Sequence, residues 1–97
     1  MIIAKIHEMQ GTQILACTEE KLIGKTLKEG EIEFIVSERF YRGKKVSEKE
    51  LKKLLEEIDN INLVGKQPVS IAIELKLIDE TNVLTIEKIP HVQIFRI

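Results

Sequence analysis

The stretch from Val46 to Ile58 constrains this chain more than any other. Ser47 stands three residues before Glu50 in a capping box, Val46 is placed to staple onto Leu51, and Leu51, Leu54, Leu55 and Ile58 recur at i, i+3, i+4 and i+7. This predicts a helix with one apolar stripe, with Lys49, Lys53 and Glu57 on or near its far side. Burial of each stripe residue contributes about 1.5 to 3 kcal/mol, whereas an exposed ion pair on a helix contributes a few tenths. The helix therefore needs a surface to pack on, and its lysines answer to something other than stability.

The rest of the chain is built to supply that surface. Ile2, Ala4 and Ile6 alternate with Ile3, Lys5 and His7, and Thr12 to Cys17 follows across Gln10-Gly11, which predicts a hairpin. Thr18 suits an N-cap for a short helix over Glu19 to Ile23, ended by Gly24. Lys25 to Gly30 reads as a loop, and Glu31 to Val36 as a third strand with Ile32, Phe34 and Val36 on one face. Asn60 to Gly65 reads as a short extended or looped connection. Residues 68–77 fit two patterns: alternation favours a strand, while Val69, Ala72, Ile73 and Leu77 also satisfy helical spacing with Pro68 at the first helical position. Val83 to Ile86 and Ile89 to Ile97 complete the strands, with Pro90 at the start or edge of the last. Residues 1–97 thus predict one α+β domain, a mainly antiparallel sheet with two main helices on one face and one short helix. The hairpin, the Phe34 strand and the two carboxy-terminal strands form its sheet.

Charge is segregated along this pattern. The net charge is -1, yet residues 39–54 carry seven cations against two glutamates, between acidic flanks. At the head of this tract lies Phe40-Tyr41-Arg42-Gly43-Lys44-Lys45. Guanidinium and ammonium groups neutralise phosphate, and aromatic rings stack on unpaired bases. Arg39, Arg42, Lys44 and Lys45, with Tyr41 stacking and Lys49, Lys52 and Lys53 extending the field, are the candidate contacts to RNA or a ribosomal particle. The bland reading makes Phe40 a core anchor, sets Tyr41 over the core edge, and pairs the cations with the abundant carboxylates. Gly43 is expected to give the backbone a conformation that a side chain would hinder. No GXXG loop or aromatic RNA-recognition motif is present.

Catalytic and metal signals are weaker. His91 and Gln93 share one face of the last strand and form a candidate ligand-binding pair, since imidazole and amide can orient a ligand or a proton transfer. A histidine after proline at a strand start is more often a structural hydrogen-bonding residue. His7, Cys17 and His91 lack the close spacing of a zinc motif, and Cys17 in its apolar stretch reads as a small buried residue. No catalytic set, cofactor or metal site is assigned. A single cysteine, no apolar run of membrane-spanning length and no secretory signal suggest a cytoplasmic protein without a membrane role. The abundance of Ile, Lys and Glu resembles proteins from hot environments.

Several blocks together carry a family resemblance. Phe40-Tyr41-Arg42-Gly43, Asn62-Leu63-Val64-Gly65, Ala72-Ile73-Glu74-Leu75 and Ile89-Pro90-His91-Val92-Gln93, in this order and spacing, resemble the signature blocks of DUF424, a family of small archaeal proteins of unknown function. Lys5-Ile6-His7-Glu8 and Glu19 to Lys25 extend the similarity from end to end. The family pattern has aspartate where this chain has Thr18 and glycine where it has Lys76. A glycine there would end a helix, so the resemblance favours helix for residues 68–77. It implies an archaeal, cytoplasmic origin and carries no activity. The expected function is a non-enzymatic module that binds RNA or a ribonucleoprotein. The alternatives are a protein-interaction or homo-oligomeric module with an exposed edge or an apolar patch near Phe95, and a small enzyme using His91.

Overall fold

A computed structural model describes residues 1–97. Its first hairpin joins β1 (Ile2–Met9) to β2 (Thr12–Glu19), with Met9 opposite Thr12. Gln10 and Gly11 both have positive φ, as a two-residue turn matching strand twist requires. After a 3₁₀ turn over Glu20–Leu22, β3 (Thr26–Glu29) and β4 (Ile32–Ile35) form a separate two-stranded ribbon. A short helix α1 (Glu38–Tyr41), strand β5 (Lys44–Val46) and the main helix α2 (Glu48–Glu57) follow. The chain then runs through β6 (Asn60–Val64), α3 (Lys66–Glu74), β7 (Leu84–Ile86) and β8 (Ile89–Phe95).

Six strands make the main sheet in the order β5-β1-β2-β6-β8-β7, antiparallel except for the β2–β6 pair. One face carries Ile2, Ala4, Leu15, Cys17, Ile61, Leu63, Val92 and Ile94 against Leu51 and Leu55 of α2, Ile58 just past its end, and Val69 and Ala72 of α3. The other face carries Ala16, Val64 and Ile86 against Leu22, Leu27, Val36 and Tyr41, so the ribbon and α1 cover only part of it. The α+β class and the two helices on one face agree with the sequence reading. The capping box of α2 is formed as expected: Ser47 Oγ accepts from the Glu50 N–H (3.1 Å), and the Ser47 N–H donates to Glu50 Oε1 (2.9 Å). These bonds hold the Glu50 carboxyl below its ordinary pKa.

Three expectations require correction, and the position of Pro68 is refined. The Phe34 strand is not part of the main sheet: Thr26–Glu29, read as loop because it is mostly polar, pairs with it instead, and only Leu27 and Phe34 turn toward the core. Asn60–Val64 is not a connection but a central strand, flanked by β2 and β8. Thr18 caps nothing; it lies fully buried in β2, and its Oγ1 has no hydrogen-bond partner. Residues 68–77 are helical through Glu74, and the helix starts at Lys66, which puts Pro68 third, where its absent N–H still lacks an intrahelical acceptor.

Both ends of α3 have a specific basis. Gly65 stands before the first turn at φ +113, and a Cβ there would sit 2.5 Å from Glu19 Oε2. That carboxylate accepts from the Gln67 N–H (3.3 Å), which sets a negative charge at the positive end of the helix dipole. At the other end Lys76 adopts φ +61, its N–H donates to the Ile73 carbonyl (2.9 Å), and the Leu77 N–H donates to the Ala72 carbonyl (3.1 Å). These are the two bonds of a Schellman motif, made with lysine in the position glycine normally fills.

Candidate nucleic-acid interface

The basic tract begins where α1 ends. Ser37 Oγ accepts from the Phe40 N–H (3.1 Å) and starts a helix of only one turn. Its last carbonyls are taken by side chains of β1: Lys5 Nζ donates to the Arg39 carbonyl (2.9 Å) and His7 Nε2 donates to that of Phe40 (2.8 Å). The two aromatics are divided in the opposite sense from the sequence reading. Tyr41 is 3% exposed and packs in the core with Ala16 and Val64, and burial pushes its hydroxyl up to about 12. Phe40 is half-buried, stacked on His7 (centroids 4.6 Å apart, 13° between planes) and edge-on to Tyr41. Tyr41 is therefore unable to stack on a base as placed. A one-turn helix on this face turns its last residue onto the sheet and leaves Phe40 over β1.

Gly43 is required for space rather than for an unusual backbone angle. A Cβ on it would stand 2.1 Å from the Ala4 carbonyl oxygen and 2.9 Å from the Lys5 Cα. The absent side chain lets the chain come alongside β1, and β5 then pairs Lys44, Lys45 and Val46 with Ala4, Ile3 and Ile2. Alternation along β5 sends the two lysines to opposite faces. Lys44 and Lys53 stand at a cleft of about 670 Å³ between the sheet edge and α2, floored by Ala4, Ile6, Val46 and Leu54 and also lined by Glu50 and Glu57, while the Lys5 ammonium points to the opposite face, where it meets the Arg39 carbonyl. Lys45 stands on the face that carries α1.

The candidate cations fall into two classes. Arg42 is engaged: its Nε and NH2 donate to Glu38 (3.1 Å each), NH1 lies 3.9 Å from Glu20, and these contacts hold the Glu38 carboxyl low. Lys52 reaches Glu74 on α3 (3.2 Å), on the side of α2 away from the cleft. Arg39, Lys44, Lys45, Lys49 and Lys53 have no carboxylate within 4.0 Å. The pairing expected on the bland reading thus holds for two cations and leaves five unpaired.

His91 and Gln93 share a sheet face as expected, but they are not beside the tract. Four strand-to-strand steps separate β5 from β8, about 19 Å at the usual spacing. The His91 ring lies against Phe34 (4.4 Å between centroids), and burial lowers its pKa. It makes no hydrogen bond, and no cavity includes it. The acid–base partner that a catalytic role would need is not in place. Cys17 lies on the helical face, opposite both histidines, so the three do not converge; burial pushes its thiol up to about 12. No helix is long and apolar enough to cross a membrane.

Sequence reasoning missed Asn60 and Asn62. Both belong to a segment read as a connection, and only its place between β2 and β8 sets them next to Gln93 and Phe95. The alternation Asn60, Asn62 against Ile61, Leu63 was the available signal.

No curated protein matches this sequence. The chain is similar in structure to an uncharacterized conserved protein from Methanopyrus kandleri, with a TM-score of 0.79, 27% identity, and coverage of 97% of this chain and 90% of that one. The family model for a protein of unknown function, DUF424, matches residues 7–97, and the chain belongs to that family.

Proposed function

We propose that this protein is a non-enzymatic binding module that contacts RNA or a ribonucleoprotein through the cations around β5. The observation that carries this reading is the set of five unpaired cations of the tract, Arg39, Lys44, Lys45, Lys49 and Lys53, in a chain whose 16 carboxylates outnumber its 15 lysines and arginines. Unpaired cations clustered at a sheet edge and a helix start give a local positive field that a polyanion would neutralise. Arg42 supports the field less, because Glu38 and Glu20 already face it. The test is binding of RNA by the Arg39→Glu/Lys45→Glu variant across a salt series. Each lost phosphate contact is expected to reduce the slope of log affinity against log salt by about 0.7 to 0.9. Equal affinity and equal slope for variant and wild type would overturn the proposal.

A second reading, a protein-interaction or homo-oligomeric module, is favoured by the exposed apolar residues Ile32, Ile35, Leu84 and Phe95. It predicts a complex that is insensitive to salt and free of nucleic acid.

A further inference from the structure

The sheet face not packed against α2 and α3 is only partly covered, and its open part has an unusual composition. Two rows cross it from β1 to β8: Lys5, Ala16, Asn62 and Gln93 in one, and His7, Ile14, Asn60 and Phe95 in the next. Of these, only Ala16 is buried. None of the chain's 16 carboxylates lies on this face of the four strands, since the register sends Glu8 and Glu19 to the helical side with Ile2 and Ala4. Asp59, next to Asn60, faces Arg96 at 3.4 Å.

The side chains of Asn60, Asn62 and Gln93 make no hydrogen bond within the protein, and Asn60 Oδ1 is buried without a partner. The amides of Asn62 and Gln93 each offer two donors and an acceptor, the groups needed to meet the edge of an unpaired base, whereas Asn60 has its acceptor turned inward. Aromatic rings flank them. Phe95 is 67% exposed at the end of its row, the stacked His7 and Phe40 rings stand at the other end, and Phe34 with His91 borders the face above Gln93. Lys5 and Arg39 lie along the β1 side, where the Lys5 ammonium meets the Arg39 carbonyl, and Lys45 lies on the same face.

We infer that this face is a platform for single-stranded RNA, with bases laid on Phe95 and between the amides of Asn62 and Gln93 while the backbone follows Arg39, Lys5 and Lys45. The inference rests on the RNA-binding reading above and adds the strandedness and the base contacts. The occupant follows from charge complementarity, because the strand face itself holds no carboxylate and its β1 side is bordered by cations that suit a polyanion. At the other end, where Asn60 and Phe95 share a cleft with Glu8, Glu57 and Asp59, the contact is a base rather than a phosphate. The occupant follows also from amides and rings that a duplex would not reach.

The test uses the intact protein with a labelled 12-nucleotide mixed-sequence RNA strand and with the same strand in a duplex, by fluorescence anisotropy across a salt series. The wild type should prefer the single strand. Phe95→Ala should weaken single-strand binding by about 5- to 150-fold with an unchanged salt slope, the range for loss of one base–aromatic stack. Gln93→Glu, nearly isosteric and exposed, should also weaken it by adding a carboxylate to the face. Both positions are exposed, and unchanged urea unfolding will confirm that the variants are folded. If Arg39→Glu/Lys45→Glu weakens binding while Phe95→Ala and Gln93→Glu do not, the platform is overturned and the tract reading stands. If none of the variants changes binding, both fall. If Phe95→Ala instead dissolves a homodimer in sedimentation with RNA binding intact, the face is an interface between copies and the inference is overturned.

Discussion

Lys76→Gly should stabilise this protein. Lys76 holds φ +61 at the position just past α3, a region in which a Cβ costs roughly 1 to 2 kcal/mol and glycine pays almost nothing. The side chain is exposed and makes no ion pair or hydrogen bond, so its removal forfeits no contact. Against this gain stands the greater freedom of glycine in the unfolded chain, worth about 0.4 to 1 kcal/mol. The balance is a net gain of about 0.5 to 1 kcal/mol, provided that the bonds from the Lys76 and Leu77 N–H groups persist, as glycine allows. Equilibrium unfolding in urea measures it. With a slope of about 1 kcal/mol/M the midpoint should rise by about 0.5 to 1 M at unchanged slope, and the melting temperature by a few degrees. Lys76→Ala is the control, because alanine keeps the Cβ and should gain nothing. A glycine variant no more stable than the wild type, or an alanine variant that gains as much, would refute the reasoning.

Gly43→Ala should cost at least about 2 kcal/mol, because the new methyl meets the Ala4 backbone rather than a flexible side chain; urea unfolding would show it, and a neutral result would mean that β5 does not lie where it is placed. Thr18→Val should raise stability by about 1 kcal/mol, since it replaces a buried hydroxyl without a partner by a methyl of the same shape; a loss would reveal a hidden hydrogen bond. The pKa of His91 is lowered from 6.5 by burial, so on acidification the unfolded chain takes up this proton before the folded one, and the His91 contribution is intact above about pH 7 and lost as the pH falls below 6.5. Urea unfolding between pH 7.5 and 5.5 should show this decline, and His91→Gln should flatten it; identical slopes in the two proteins would exclude burial of the ring as the cause.

What was legible in the sequence was local. The capping box at Ser47, the turn at Gly11 and the apolar stripe of α2 are each written within a few residues, and each forms as read. The elements that failed depend on distant partners. Asn60–Val64 alternates too briefly, and with polar Asn60 and Asn62 on one face, to be told from a connection by itself, and it is a central strand because β2 and β8 close on it from both sides. The aromatic pair at Phe40 and Tyr41 has no periodicity to divide it, and which ring is buried follows from how α1 sits on β1 and β2. The glycine at 43 was visible as important, but its reason, the backbone of Ala4, lies far away along the chain. Likewise, the absence of carboxylates from one sheet face belongs to the register of four strands and to no single segment of sequence.

The parallel pairing of β2 with β6 also has a kinetic consequence. Ile14 meets Asn60 and Thr18 meets Val64, so almost half of the chain, including the ribbon, α1, β5 and α2, is enclosed by one crossover. A contact of that separation has to pay the entropy of closing a long loop before it gains any burial. The hairpin β1–β2 can form early, but the sheet is continuous only once β6 has entered its centre and β8 has followed. The slow step of folding should therefore be the docking of β6 and β8, and during synthesis the chain should persist as a hairpin with α2 only partly packed until those strands are available.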